Sequence, residues 1–170
     1  RTSVLLVVVV LAFAAGGCSQ EPDPAAFDAS GRVDYRLRTF FPQLYAGVEV
    51  DDDGRIIVYR KPGDVNTANV EVAARDEVGK FKVEFRDARF SVTEMNSLAD
   101  RVAVDLSYWR EQRSFHVEGV TTRVDGAGVN VVVGDRDLDR AKREFRDRYG
   151  DDEPVFVLAR SRGGVGPAGY

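Results

Sequence analysis

Apolar and polar residues alternate in short runs along this chain, and stretches with helical spacing separate those runs. Val48-Glu49-Val50 and Ile56-Ile57-Val58-Tyr59 flank Asp51-Asp52-Asp53-Gly54, the pattern of two strands around a tight turn. Asp64 to Arg75 reads two ways. Asp64 can cap a short helix carrying Ala68, Val72 and Ala73, or Val70-Glu71-Val72 can alternate as strand; helix is the favoured reading. Phe81-Lys82-Val83-Glu84-Phe85 has the alternation of a half-buried strand. A long helix is predicted from about Val92 to Glu111, where Ser91 and Glu94 have capping-box spacing. Met95, Leu98, Val102, Leu106 and Trp109 form its apolar stripe at three- and four-residue steps. Val117–Thr122 and Val129–Val133 then bracket Asp125-Gly126-Ala127-Gly128 as a second hairpin. A charged helix over Asp137–Tyr149 places Leu138, Ala141 and Phe145 together and stops at Gly150, and Val155-Phe156-Val157-Leu158 closes the order as a strand.

This order repeats itself. Gly47 and Gly119 lie 72 residues apart, as do Gly54 and Gly126 in the two turns. Ile56 and Val58 match Val129 and Val131 at 73, and Val83 matches Val157 at 74. The expected fold is α+β: two β-β-α-β repeats joined by a long helix, with sheets packed against helices. The repeats occupy about residues 45–86 and 117–160, and the linking helix about 92–111, within a domain expected to span 32–160. Residues 18–31, with two prolines and little apolar material, read as a flexible tether. Residues 161–170 are Gly-rich and read as a disordered tail.

The start of the chain has a different character. Val4 to Ala15 is an uninterrupted run of twelve apolar residues, preceded by Arg1. That suits the core of a signal peptide, since a spanning helix needs roughly 20 residues. Four consecutive valines and no polar face do not suit an amphipathic surface helix. Ala15-Gly16-Gly17-Cys18 resembles the lipobox of bacterial lipoproteins, with Ala15 where that family usually has Leu. The resemblance implies signal-peptidase recognition at Ala15, Gly16 and Gly17, and lipidation of Cys18 as the new N-terminus. Residues 1–17 are then the signal peptide, and the protein is held by lipid on the extracytoplasmic face of the cell membrane. An ordinary signal peptide and an uncleaved anchor are the competing readings. Cys18 is the only cysteine, so no intrachain disulfide can form.

Composition narrows the chemistry. The formal charge is −4, and removal of Arg1 with the leader leaves −5, which argues against a nucleic-acid partner. His116 is the only histidine, and no Gly-x-Ser-x-Gly elbow is present to supply a nucleophile to a Ser-His-Asp triad. A zinc site needs several Cys or His ligands, which one histidine and one acylated cysteine do not provide. Asp51-Asp52-Asp53-Gly54 looks like part of a calcium loop, but the twelfth position from Asp51 is Pro62 rather than Glu. That turn and Asp151-Asp152-Glu153 read as solvated. Asp139/Arg143 and Glu144/Arg148 have the spacing of helical ion pairs on a solvated face. Tyr108-Trp109-Arg110 has the composition of an interface anchor, although Trp109 continues the apolar stripe and is expected in the core. No catalytic, cofactor-binding or metal-binding residue is expected.

A second resemblance concerns the domain itself. Tyr45-Ala46-Gly47-Val48-Glu49-Val50-Asp51, followed by Arg55-Ile56-Ile57-Val58, is similar to the opening strand and hairpin of the prodomains of alpha-lytic protease and streptogrisin-type secreted serine peptidases. Phe90-Ser91-Val92-Thr93-Glu94-Met95-Asn96-Ser97-Leu98-Ala99-Asp100-Arg101 resembles a helix of the same domains, with Met95 replacing the usual Leu. The likeness covers about residues 44–160. It implies a domain that assists the folding of a peptidase and inhibits it, here one supplied in trans. The arrangement also resembles lipoproteins of Gram-positive bacteria that consist of such a domain alone. The expectation is a non-enzymatic lipoprotein whose partner is a secreted peptidase or a cell-envelope protein.

Overall fold

The computed structural model describes residues 23–160. Five helices and six strands follow in the order α1 (Pro24–Phe40), β1 (Tyr45–Val50), β2 (Ile56–Arg60), α2 (Thr67–Val78), β3 (Val83–Asp87), α3 (Val92–Val104), α4 (Leu106–Gln112), β4 (Val117–Thr122), β5 (Val129–Val133), α5 (Leu138–Tyr149) and β6 (Val155–Ala159), with a single 3-10 turn at Asp135–Asp137. The fold is α+β, with two three-stranded sheets ordered β1-β2-β3 and β4-β5-β6. In each, a hairpin is antiparallel and the strand returning from the crossover helix is parallel to the second hairpin strand.

The repetition extends to a local irregularity. Tyr45 pairs with Arg60 but Gly47 with Tyr59, so Ala46 is an extra residue in β1. Val117 pairs with Val133 but Gly119 with Val132, so Glu118 is the same bulge 72 residues later. Bulges bend a strand and re-aim its side chains, so this pair fixes the same twist in both hairpins. One match is corrected by the register. Ile56 pairs with Val83 and Val129 with Val155, which makes Val155, not Val157, the counterpart of Val83.

The tether expected to reach residue 31 ends earlier, because Pro24–Phe40 is helical. Asp23 caps it by accepting a hydrogen bond from Ala25 N at 2.9 Å, and Pro24 occupies the first turn, where its missing N–H costs nothing. Ala26, Ala29, Val33 and Leu37 form its buried stripe. Small alanines in that stripe kept it from standing out as an apolar period. The domain therefore begins with α1, and each repeat gains a leading helix: α1 before β1, and α3–α4 before β4. Leu37 and Trp109, again 72 apart, are the fully buried anchors of those helices.

The long helix expected over 92–111 is broken at Asp105. Its first part has the expected capping box: Glu94 N donates to Ser91 Oγ at 3.3 Å and Ser91 N to Glu94 Oε2 at 2.7 Å. Beyond the break, Leu106 leaves the stripe for solvent whereas Trp109 is fully buried. The crossover helix α2 bears out helix over strand for this segment, but with another face inward: Val70, Ala73, Ala74 and Val78 are buried, while Val72 and Ala68 are exposed. Asp64 lies before that helix, and the cap position belongs to Asn66.

Three apolar clusters hold these elements. The first joins Val33 and Leu37 of α1, Val70 and Val78 of α2, and Ile56 and Val58 of β2. The second joins Val102, Trp109, Phe145 of α5, and Val131 and Val133 of β5. The third lies between the repeats, where Ile57 and Tyr59 on the other face of β2 meet Ala46, Ala88, Met95, Leu98 and Val129. Each fully buried aliphatic side chain contributes roughly 1.5–3 kcal/mol. The central cluster makes separate unfolding of the two repeats costly.

Candidate functional site

β2 is covered on both faces, β5 on one. Register places Gly119, Thr121, Asn130, Val132, Phe156 and Leu158 together on the outer face of the second sheet. Their counterparts on the first sheet are Gly47, Glu49, Ile57, Tyr59, Glu84 and Arg86. There the second repeat covers the surface: a Cβ on Gly47 would lie 2.2 Å from the Val124 carbonyl oxygen. A Cβ on Gly126 would meet Ala88, Ala46 and the Phe90 carbonyl within 2.8 Å. Phe90 N also donates to Gly126 O at 3.0 Å. The tip of the second hairpin thus sits against the bulge of the first sheet. At Gly119 there is open space instead.

The open face combines Thr121 and Asn130 with the apolar Val132, Phe156 and Leu158. Phe156 is 40% exposed and Leu158 43%, and both lie on the edge strand β6. Asn130 stands where the first sheet has the buried Ile57, and its Oδ1 is buried without a hydrogen-bond partner. Arg123 lies 4.8 Å from the Phe156 ring centre, and its guanidinium is held by Asp125 at 2.6 Å. A groove of about 330 Å³ runs between β6 and α5, lined by Lys142, Phe145, Arg146, Glu153, Phe156 and Leu158. Val155-Phe156-Val157-Leu158 forms the closing strand expected from the sequence, and it lies at the edge of its sheet. Four successive apolar residues were the available signal, since both faces of such a strand are apolar and an edge strand buries only one.

The charged residues form structural pairs. Asp105, at the helix break, accepts from Arg148 Nε at 2.6 Å and from Tyr149 Oη at 2.7 Å. The hydrogen bonds from Arg148 chiefly hold the Asp105 carboxyl below its ordinary range, against a smaller opposing effect of burial. Burial and the Asp105 contact push the Tyr149 hydroxyl up. In the first repeat, Asp34 takes the equivalent part, accepting from Tyr45 Oη at 2.6 Å and from Arg38 at 3.0 Å. Of the pairs expected within α5, Glu144/Arg148 is replaced by longer-range ones. Arg148 goes to Asp105 and Glu144 to Arg113 at 3.2 Å, because both face the leading helix of their repeat rather than solvent alone.

His116 is exposed between buried Phe115 and Val117, just before β4. Asp51 is occupied in its own turn, accepting from Asp53 N at 3.0 Å and Arg55 N at 2.8 Å, which depresses its pKa. In the other acidic turn, Glu153 pairs with Arg101 at 3.1 Å. Among the described residues, no group of three His, Cys, Asp or Glu side chains is placed to hold a metal ion. Trp109 lies in the core, stacked on Phe145 at 4.4 Å between ring centres. Ala15, Gly16, Gly17 and Cys18 lie outside the described residues. Among the described residues, no helix is long and apolar enough to cross a membrane. Comparison with known proteins yields no matching family model, no matching curated protein and no matching solved structure.

Proposed function

We propose that this chain is an extracytoplasmic lipoprotein, anchored in the cell membrane through acylated Cys18, whose α+β domain binds a partner without catalysis. One observation carries the binding role. The fold covers the outer face of its first sheet with its own second hairpin and leaves the equivalent face of the second sheet bare, with Phe156 and Leu158 exposed. Exposed apolar side chains grouped on one face are characteristic of interaction sites. The test is affinity capture from native envelope and culture fluid, with the mature domain compared with a Phe156→Asp/Leu158→Asp variant. A species held by the first and lost by the second, at unchanged thermal stability, supports this reading. Identical capture by both refutes it. Anchoring is tested separately: Cys18→Ser should abolish acylation and membrane retention.

A trans-acting prodomain, acting as folding chaperone or inhibitor of a secreted peptidase, is the second reading. The free edge of β6 favours it, because an edge strand can pair with an extended segment of another chain. Saturable inhibition of a co-secreted serine peptidase would support it, and absence of binding to any such peptidase would remove it.

A further inference from the structure

We infer that the outer face of α1 lies on the bilayer surface and fixes the orientation in which the domain is displayed; this rests on the proposed acylation of Cys18. Four aromatic side chains are strongly exposed among the described residues, and three of them belong to this one helix: Phe27 at 52%, Tyr35 at 73% and Phe40 at 65%. They border a groove of about 560 Å³ together with Asp28, Gly31, Arg32, Arg36 and Glu77. Phe27 and Tyr35 lie away from the buried stripe of Ala26, Ala29, Val33 and Leu37, and Phe40 continues that stripe's spacing into the exposed last turn.

Position selects a lipid surface as the occupant. Five residues lie between Cys18 and Pro24, so their Cα atoms are at most roughly 20 Å apart when that segment is fully extended. An acyl chain on Cys18 therefore holds the start of α1 within reach of the headgroups, whatever the rest of the domain does. Tyr35 suits that depth because its ring is apolar and its hydroxyl polar, Phe27 and Phe40 can bury apolar surface just below it, and arginine stems can follow while the guanidinium stays at the phosphates.

The experiment uses the full acylated protein in phosphatidylcholine vesicles containing brominated acyl chains, which quench nearby indoles. Tyr35→Trp places a reporter on α1, and Phe156→Trp places one on the second sheet; Trp109 is buried and common to both. Quenching of Tyr35→Trp at least threefold greater than that of Phe156→Trp is expected. Adding Phe27→Ser and Phe40→Ser to the α1 reporter should reduce its quenching while acylation and vesicle association persist. Mass measurement of the Cys18 peptide separates the two levels of the proposal. An acylated protein with an unquenched α1 reporter, or with equal quenching at both positions, overturns this inference and leaves the anchor standing. An unacylated Cys18 removes the anchor and the inference together.

Discussion

The two repeats share strand order, bulge position and crossover, yet they differ in what their bulges face. Ala46, the bulge of the first repeat, is 3% exposed and receives the tip of the second hairpin. Glu118, the equivalent bulge, faces solvent and pairs with Arg160 at 3.7 Å. The two turns differ in the same sense. Gly126 is enclosed by Ala46, Ala88 and Phe90, while a Cβ on Gly54 would meet open space. Docking between repeats therefore runs one way among the described residues: the second inserts into the first, whereas the acidic tip of the first meets open space at Gly54. Two similar units that could dock reciprocally would invite head-to-tail chains, and a charged residue at the receiving bulge works against that. The difference also leaves the second sheet with the bare face on which the proposed binding role depends.

The largest effects should come from the paired anchors, Leu37 and Trp109. Trp109→Ala is expected to cost about 3–5 kcal/mol and Leu37→Ala about 2–5 kcal/mol, because each leaves a cavity in a fully buried cluster. The shape of the denaturant transition matters as much as its midpoint. With the third cluster spanning both repeats, each variant should still unfold in one step. Two resolved transitions would show that the repeats are independent and that the central cluster does not couple them.

Gly47 and Gly119 offer a narrower version of the same comparison. Neither has a positive backbone φ, so both substitutions are tests of space alone. Gly47→Ala forces a Cβ against the Val124 backbone, which cannot rotate away, and should cost about 1–3 kcal/mol. Gly119→Ala meets nothing within 4 Å and should fall within about 0.5 kcal/mol of the parent. Equal losses in urea unfolding would mean that the second hairpin does not sit against the first sheet as described.

Much of this arrangement was legible because hairpins, capping boxes and amphipathic stripes are local. The two hairpins, the helix at 92–104 and the closing strand all follow from spacing within a few residues. The missed feature, α1, has equally local causes, but its stripe begins with Ala26 and Ala29, and Gly31 and Pro24 lower its helical appearance. Its stability comes from packing against α2 and β1, which no short window displays. The break at Asp105 was hidden for a related reason. Its partners Arg148 and Tyr149 lie more than forty residues away, and an uninterrupted apolar spacing gives no sign of them. The open face was hidden because composition identifies Phe156 and Leu158 as apolar without saying whether anything covers them.

The Asp105 cluster gives a smaller and pH-dependent prediction. Its carboxyl is depressed in the folded protein, mainly by hydrogen bonds from Arg148. Folding therefore gains stability from it above the unfolded carboxyl pKa, near 3.9, and loses that gain as pH falls through the lower folded value. Asp105→Asn should be less stable than the parent at pH 7, and the gap should close on acidification into that range. A gap independent of pH would assign the loss to packing at the helix break.

The smallest stability effect is expected on the bare face. Phe156 and Leu158 each keep more than a third of their surface in water, so their replacement by serine removes little buried area. Each variant should stay within about 0.5 kcal/mol of the parent in thermal or denaturant unfolding, as substitutions away from packed features usually do. Ile57→Ser, on the covered face of the first sheet, serves as the reference: it is 2% exposed and should be strongly destabilised, since it places an unpaired hydroxyl in the central cluster. The pair separates two explanations for an apolar surface. If Phe156→Ser and Leu158→Ser were as costly as Ile57→Ser, these side chains would be part of the chain's own core, and the second sheet would have no free face. If they cost little and also lower vesicle-independent partner capture, their exposure is maintained for binding rather than for folding, and the asymmetry between the repeats is functional.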